Sequence, residues 1–163
     1  MSGLNDRRHT ISILVNNQPG VLQRVAGLFG RRGFNIESIT VGESEEKGLS
    51  RMVIVTTGDA RTVEQISKQL YKLIDVIKVV NLSEHRMVAR ELALIKITAE
   101  PERRPEIFGL VDTFRASVVD VSPNTIIVQV VGDSQKIDAM QELLKPYGIR
   151  ELTRTGVTAM IRG

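Results

Sequence analysis

Two halves of this 163-residue chain carry the same succession of hydrophobic patterns, and that repeat restricts the fold more than any other feature. Alternating apolar residues predict a strand over 9–15. An apolar stripe at helical spacing follows over 19–32, then strands over 34–41 and 50–57, a helix over 60–73 and a closing strand over 76–81. The second half runs in the same order: strand 91–98, helix 105–114, strands 117–121 and 125–131, helix 135–145 and strand 149–153. Gly27-Leu28 recurs as Gly109-Leu110 at an offset of 82, and Gly58-Asp59 as Gly132-Asp133 at an offset of 74. One hairpin accounts for the difference, because the polar GESEEKG segment shrinks to the tight Ser122-Pro123-Asn124 turn. The chain therefore reads as α+β, two tandem ferredoxin-like (βαββαβ) units spanning 1–83 and 84–163 and joined near Ser83-Glu84-His85-Arg86.

Within the first half, the stretch from Asn16 to Thr40 has the most chemical content. Asn17 is placed to cap a helix whose first turn holds Pro19 and Gly20, with unpaired backbone N–H groups pointing outward. Such a turn accepts a carboxylate or a phosphate. Val21, Leu22, Val25, Ala26, Leu28 and Phe29 fall on one helical face and are expected to be buried. Gly33 ends the helix, and Phe34-Asn35-Ile36 opens a strand with Asn35 near its start. On the second helix, Val63, Ile66, Leu70, Leu73 and Ile74 are expected to share the inward face.

These residues suit a free amino acid. Its carboxylate needs donors, which the Asn17–Gly20 turn supplies, and a bulky residue at Gly20 would obstruct close approach. Asn35 offers both an amide donor and a carbonyl acceptor for the polar end. Leu22 and Ile36 could wall a small apolar side chain. The second strand of a βαββαβ sheet lies at an edge, and here it carries only Glu37 as a charge and no proline. Pairing between two chains would cover that edge and set Asn35 beside the other chain's Asn17 turn.

The segment NNQPGVLQRVAGLFGRRGFNIESIT, with SRMVIVTTGD and KLIDVIKV further on, resembles the regulatory small subunit of acetohydroxyacid synthase (acetolactate synthase). The resemblance runs from about His9 to Arg162 and is densest in the first half. It implies that the first unit is an ACT domain, a module that binds amino acids. It also implies an effector site in which Asn17, Gly20 and Asn35 match the family's positions, with Val21, Leu22 and Ile36 beside them. The implied effector is valine or another branched-chain amino acid, and the implied assembly is a homodimer through the ACT domain. The implied partner is a separate, larger catalytic subunit using thiamine diphosphate, Mg2+ and FAD. This chain would hold no cofactor, activate that partner and confer feedback inhibition on it.

Other chemistries find little support. Neither His9 nor His85 has a carboxylate or serine partner that spacing suggests, so both read as solvated surface residues. Glu43, Glu45 and Glu46 read as a solvated charge run, and Asp59 and Asp133 as helix N-caps. Gly27, Gly30 and Gly33 have the wrong spacing for a dinucleotide loop, and no strand immediately precedes them. Gly58-Asp59-Ala60 and Gly132-Asp133-Ser134 both fail the GDG segment of a thiamine-diphosphate site at its third residue. No catalytic residue and no metal site is expected. Gly30-Arg31-Arg32-Gly33 fits the GxxG of a KH loop, but such a loop lies between two helices and this one leads into a strand. The net charge of +3 comes from scattered residues, aromatic content is 4%, and nucleic acid is not an expected partner. Zero cysteines exclude a disulfide framework. The opening residues MSGLNDRRHT lack an apolar signal core, and no apolar run approaches the ~20 residues of a membrane span. The expected address is the cytoplasm. An ACT protein serving a different enzyme, and more remotely a small RNA-binding protein, are the alternative readings.

Overall fold

Ile11, Ile13 and Val15 are buried on one face of β1 (Arg7–Asn16), and this alternation seats β1 at the centre of the first sheet. The computed structural model describes residues 7–163; residues 1–6, part of the segment read above as lacking a signal core, lie outside the described residues. The chain forms two compact units, one running up to Val88 and including Val157–Gly163, the other Ala89–Gly156. The sequence repeat divides instead after residue 83 and assigns 157–163 to the second unit.

In the first unit β1 is followed by α1 (Val21–Arg31), β2 (Asn35–Glu43), β3 (Leu49–Gly58), α2 (Ala60–Leu70) and β4 (Val76–Asn81). The sheet order is β2-β3-β1-β4, all neighbours antiparallel, so β2 and β4 are the edges. β1 pairs with β3 along its whole length, from Arg7↔Gly58 to Asn16↔Leu49. Val25, Leu28 and Phe29 of α1 and Val63, Ile66 and Leu70 of α2 complete one core with Ile11, Ile13, Met52 and Ile54. Each fully buried aliphatic side chain of this kind contributes about 1.5–3 kcal/mol relative to exposure.

Two expected core residues lie outside. Leu22 is 45% exposed because helix α1 turns that position away from the sheet, and Ile74 is 92% exposed. Helix α2 stops at Leu70, so the helical spacing that would carry Ile74 inward no longer applies.

Helix α1 ends in a Schellman motif. Gly33 takes φ +70°, its N–H donates to Gly30 O (3.2 Å), and the Phe34 N–H reaches back to Phe29 O (2.9 Å). The Phe29 and Phe34 rings meet edge to face at 6.1 Å, which supplies the apolar contact that accompanies this ending.

Strand β5 (Met87–Thr98) begins at the end of the first unit and, from Ala89 on, opens the second, which continues with α3 (Arg104–Thr113), β6 (Ser117–Val121), β7 (Thr125–Gly132), α4 (Ser134–Leu144) and β8 (Ile149–Arg154), in sheet order β6-β7-β5-β8. Its own core centres on Ile95, Ile97, Ile107, Ile126, Val128, Ile137 and Met140. The repeat extends to the caps: Asp59 accepts from Thr62 N–H (2.7 Å) and Asp133 from Lys136 N–H (2.9 Å). Helix α3 closes as α1 does, with Ala116 N–H to Val111 O (2.9 Å), but Arg115 stands at φ +51° where the first unit has Gly33. The Ser122 N–H donates to Thr125 O (2.8 Å), which closes the shortened hairpin.

One strand was not foreseen. β9 (Thr158–Ile161) belongs to the first unit, and beyond it the Arg162 N–H donates to Arg86 O (2.8 Å). Thr40 Oγ1 donates to Val157 O (3.2 Å), tying the approach to β9 onto the sheet face away from α1 and α2. On that face Val53 and Val55 are buried, at 3% and 7% exposure.

An L-residue in the left-handed region is strained, by about 1–2 kcal/mol for most side chains. Arg115→Gly should therefore stabilise the chain, by about 0.5–1 kcal/mol once the entropy of glycine is deducted. Urea unfolding would show it as a higher midpoint with unchanged slope.

Candidate ligand site

The turn between β1 and α1 is fixed from two sides by backbone bonds. Asn16 N–H donates to Asp75 O (2.8 Å), at the loop before β4, and Asn17 N–H to Gly48 O (2.8 Å), in the β2–β3 hairpin. Gln18 N–H then turns back to Asn16 O (2.9 Å). Asn17, Gln18 and Pro19 are exposed, and Gly20 enters the helix at φ +83°. The helix therefore starts at Val21, with Gly20 as its N-cap and no side-chain cap bond. Asn17 does not cap it, contrary to the sequence reading, because three turn residues intervene. Its side chain is free for another partner; the Val21 N–H is taken by Gln18 O (3.3 Å), and the first-turn amides of Leu22 and Gln23 lack intrahelical acceptors.

Arg24 is the residue that sequence reasoning missed. A Cβ placed on Gly20 would lie 3.1 Å from Arg24 Nη1, so the guanidinium hangs over the turn. It is held there by Asp75, whose Oδ2 accepts from Arg24 Nε (3.0 Å) and Nη2 (2.5 Å). Amide donors, a helix N-terminus and a cation thus converge on one exposed turn, an arrangement favourable to a carboxylate. No local pattern announces it, since Asp75 is 51 residues away.

The expected site residues fall into two groups. Asn17, Gly20, Val21 and Leu22 gather at the turn, although the Val21 side chain is 4% exposed and packs in the core and its N–H donates to Gln18 O (3.3 Å). Asn35 and Ile36 stand at the opposite end of the sheet. Asn35 pairs with Thr57, and Thr57 pairs with Arg8, eight residues before Asn16 on β1. At about 3.3 Å per strand residue the two groups are ~25 Å apart in one chain. Asn35 is exposed, and its backbone carbonyl accepts from Thr56 Oγ1. Leu22 and Ile36 do not wall one pocket within a chain.

Other candidates resolve structurally. His9, read as solvated, is half-buried: Nε2 donates to Gly58 O (3.0 Å) and Nδ1 is buried without a partner. His85 is exposed, as are Glu43, Glu45 and Glu46. Arg51 Nη1 donates to Glu45 (2.8 Å), a charge-assisted bond that holds the Glu45 carboxyl below its ordinary value. Arg32 donates to Gln69 (3.1 Å) and α1 leads straight into β2, so Gly30–Gly33 does not join two helices. The buried carboxylate Glu91 is engaged by Arg154 in two bonds, 2.7 and 3.0 Å, and these raise the Arg154 pKa further above its ordinary value. Among the described residues no group of three or more His, Asp or Glu could hold a metal ion, and no helix is long and apolar enough to cross a membrane.

Two βαββαβ units in tandem, the first with a glycine-entered helix at an anion-favouring turn, define a tandem ferredoxin-like protein with an ACT-type first unit. A family model described as the AHAS small subunit-like ACT domain matches residues 11–78, and one described as the small subunit of acetolactate synthase matches residues 90–163. The chain is 60% identical over 156 residues to the probable acetolactate synthase small subunit of Methanothermobacter thermautotrophicus, covering 95% of this chain and 93% of that protein. It is 53% identical to the acetolactate synthase small subunit of Bacillus subtilis, covering 96% and 91%. The crystal structure of the acetolactate synthase small subunit from Thermotoga maritima superposes with a TM-score of 0.89 at 50% identity, covering 96% of this chain and 98% of that one. The chain belongs to the acetolactate synthase (acetohydroxyacid synthase) small-subunit family.

Gly20→Asp tests the geometry of the turn. At φ +83° the substitution should cost about 1–2 kcal/mol in urea unfolding while circular dichroism stays that of the parent. A loss several times larger would mean that the turn tolerates no side chain beneath Arg24.

Proposed function

We propose that this chain is the regulatory subunit of a two-chain acetohydroxyacid synthase, activating a separate thiamine-diphosphate-dependent catalytic subunit and making it sensitive to valine. Family membership along nearly the whole chain supports the partnership. The observation that carries the effector half is the Asn17–Gly20 turn, where first-turn amides and Arg24 favour a carboxylate. Turnover resides in the partner, with its Mg2+ and FAD, and the assembly works in the cytoplasm.

A second copy completes the site in this reading. Edge strand β2 runs from Asn35 to Glu43, two residues beyond the expected end, and the Glu43 end lies beside Gly48 and the Asn17 turn. Antiparallel pairing of two β2 edges then brings Asn35 of one chain to the end that holds the other chain's turn. Glu37 does not guard the edge, being engaged within its own chain by Arg8 (2.7 Å) and Thr57 (2.6 Å). Glu43 of one copy would meet the Asn35 end of the other, so the two Glu43 charges stay apart.

Valine offers a carboxylate to the turn, an ammonium to the Asn35 side-chain carbonyl oxygen, and a short apolar side chain to Leu22 and to the exposed part of Ile36, which otherwise packs against the core. Two or three charge-assisted bonds of about 1.5–3 kcal/mol each are offset largely by association entropy, giving a dissociation constant between about 1 μM and 1 mM. To inhibit, valine must bind unequally to two states of the complex, a bias of about 1–3 kcal/mol.

Acetolactate formation by the purified catalytic subunit, with and without this chain, tests the reading across a valine titration. The chain should raise the rate, and valine should lower it only when the chain is present. Gly20→Asp and Asn35→Ala chains should still activate, while valine loses its effect, by about 1–3 kcal/mol in binding for Asn35→Ala. A catalytic subunit fully active and equally valine-sensitive alone would overturn the assignment.

A further inference from the structure

The face of the first sheet that turns away from α1 and α2 carries a groove that the amino-acid turn does not use. Its floor follows the strand register: Arg51, Leu14 and Lys78 form one row across β3, β1 and β4, and Ser12 and Val80 the next across β1 and β4. β9 forms the wall with Ala159, Met160 and Ile161, and Leu82 closes one side. The cavity volume is about 180 Å³, far above the ~10–15 Å³ that a single water needs.

The groove has a charged end and an apolar end. Arg51 and Lys78 flank Leu14 from the neighbouring strands, about 10 Å apart at two strand spacings. Arg51 is partly neutralised by Glu45, whereas Lys78 has no ion-pair partner among the described residues. Val80, Leu82, Met160 and Ile161 supply apolar surface toward the other end, with the Ser12 hydroxyl between. Met160 is 68% exposed and Ile161 43%, so a ligand here would remove apolar area from water.

We propose that this groove is a second ligand site, taking a small carboxylate with a short branched alkyl tail. The carboxylate lies between Lys78 and Arg51 and the tail lies along Val80 and Leu82 beneath β9. An α-ammonium would sit beside two cations, so an amino acid is the poorer ligand and the site is chemically distinct from the turn. The occupant is clamped between the sheet and β9, and its binding fastens the last strand of the chain to the first unit.

The test uses the whole chain and 3-methylbutanoate as probe, followed by residue-resolved amide NMR and hydrogen exchange. Shifts should cluster at Lys78, Val80 and Ala159–Ile161, and exchange over 158–161 should slow. 3-Methylbutan-1-ol, of the same shape without the charge, should shift these amides little, and valine should do so less than the acid. Lys78→Glu should weaken the acid by about tenfold or more, the loss of a charge-assisted bond, while Lys78→Arg should stay within about threefold. Perturbations confined to the Asn17–Gly20 turn, equal binding of the alcohol, or indifference to Lys78→Glu would each overturn the proposal.

Discussion

Pairing of β1 with β3 over ten residues, from Arg7↔Gly58 to Asn16↔Leu49, sets the geometry of the first unit. It buries Ile11, Ile13 and Val15 against the helices and turns Thr10, Ser12 and Leu14 to the other face. Because a one-residue slip would exchange the two faces, the apolar alternation locks the register. That register also holds the Asn17 turn and Asn35 at opposite ends of the sheet. A ligand that touches both must therefore touch two chains, and the open edge of β2 is the surface that makes this feasible. The proposed dimer and the proposed effector site are consequences of one strand pairing.

The two faces of the same sheet have different tasks. The helix face is a closed core in which each position is filled by Val, Ile, Leu, Met or Phe. The other face is a mixture of Thr, Ser, Val and two cations, and the end of the chain comes back to lie on it. The polypeptide passes between the units twice, at Val88–Ala89 and at Gly156–Val157, the latter beside a glycine at φ +85°. A truncation before the second unit would thus also strip β9 from the first, leaving the face that holds Val53 and Val55 without its terminal strand.

Elements with strong periodicity were legible from the sequence, because burial on one face repeats at a spacing that a short window contains. β4 and β6 fall where the pattern puts them, and the duplicated caps at Asp59 and Asp133 follow from local chemistry alone. What escaped depended on distant partners. β9 is four residues long, too short to display alternation, and its neighbours lie far back in the chain. Arg24 looks like any exposed helix residue until Asp75 is placed beside it. Asn17 resembled a cap because Asn favours that position, yet backbone bonds from Asn16 and Asn17 to Asp75 and Gly48 build the turn first and leave Gly20 to start the helix. His9 looked solvated because its acceptor, Gly58, is supplied by the neighbouring strand.

Mixed dimers show whether one effector site is shared by two chains. A Gly20→Asp chain retains Asn35, and an Asn35→Ala chain retains the turn; each homodimer alone should bind valine weakly or not at all. Unfolded together and refolded, the two should form mixed dimers with one intact site each, and calorimetry should recover valine binding at the affinity of the parent chain. No recovery, in a sample where mass spectrometry confirms mixed dimers, would show that each site lies within a single chain.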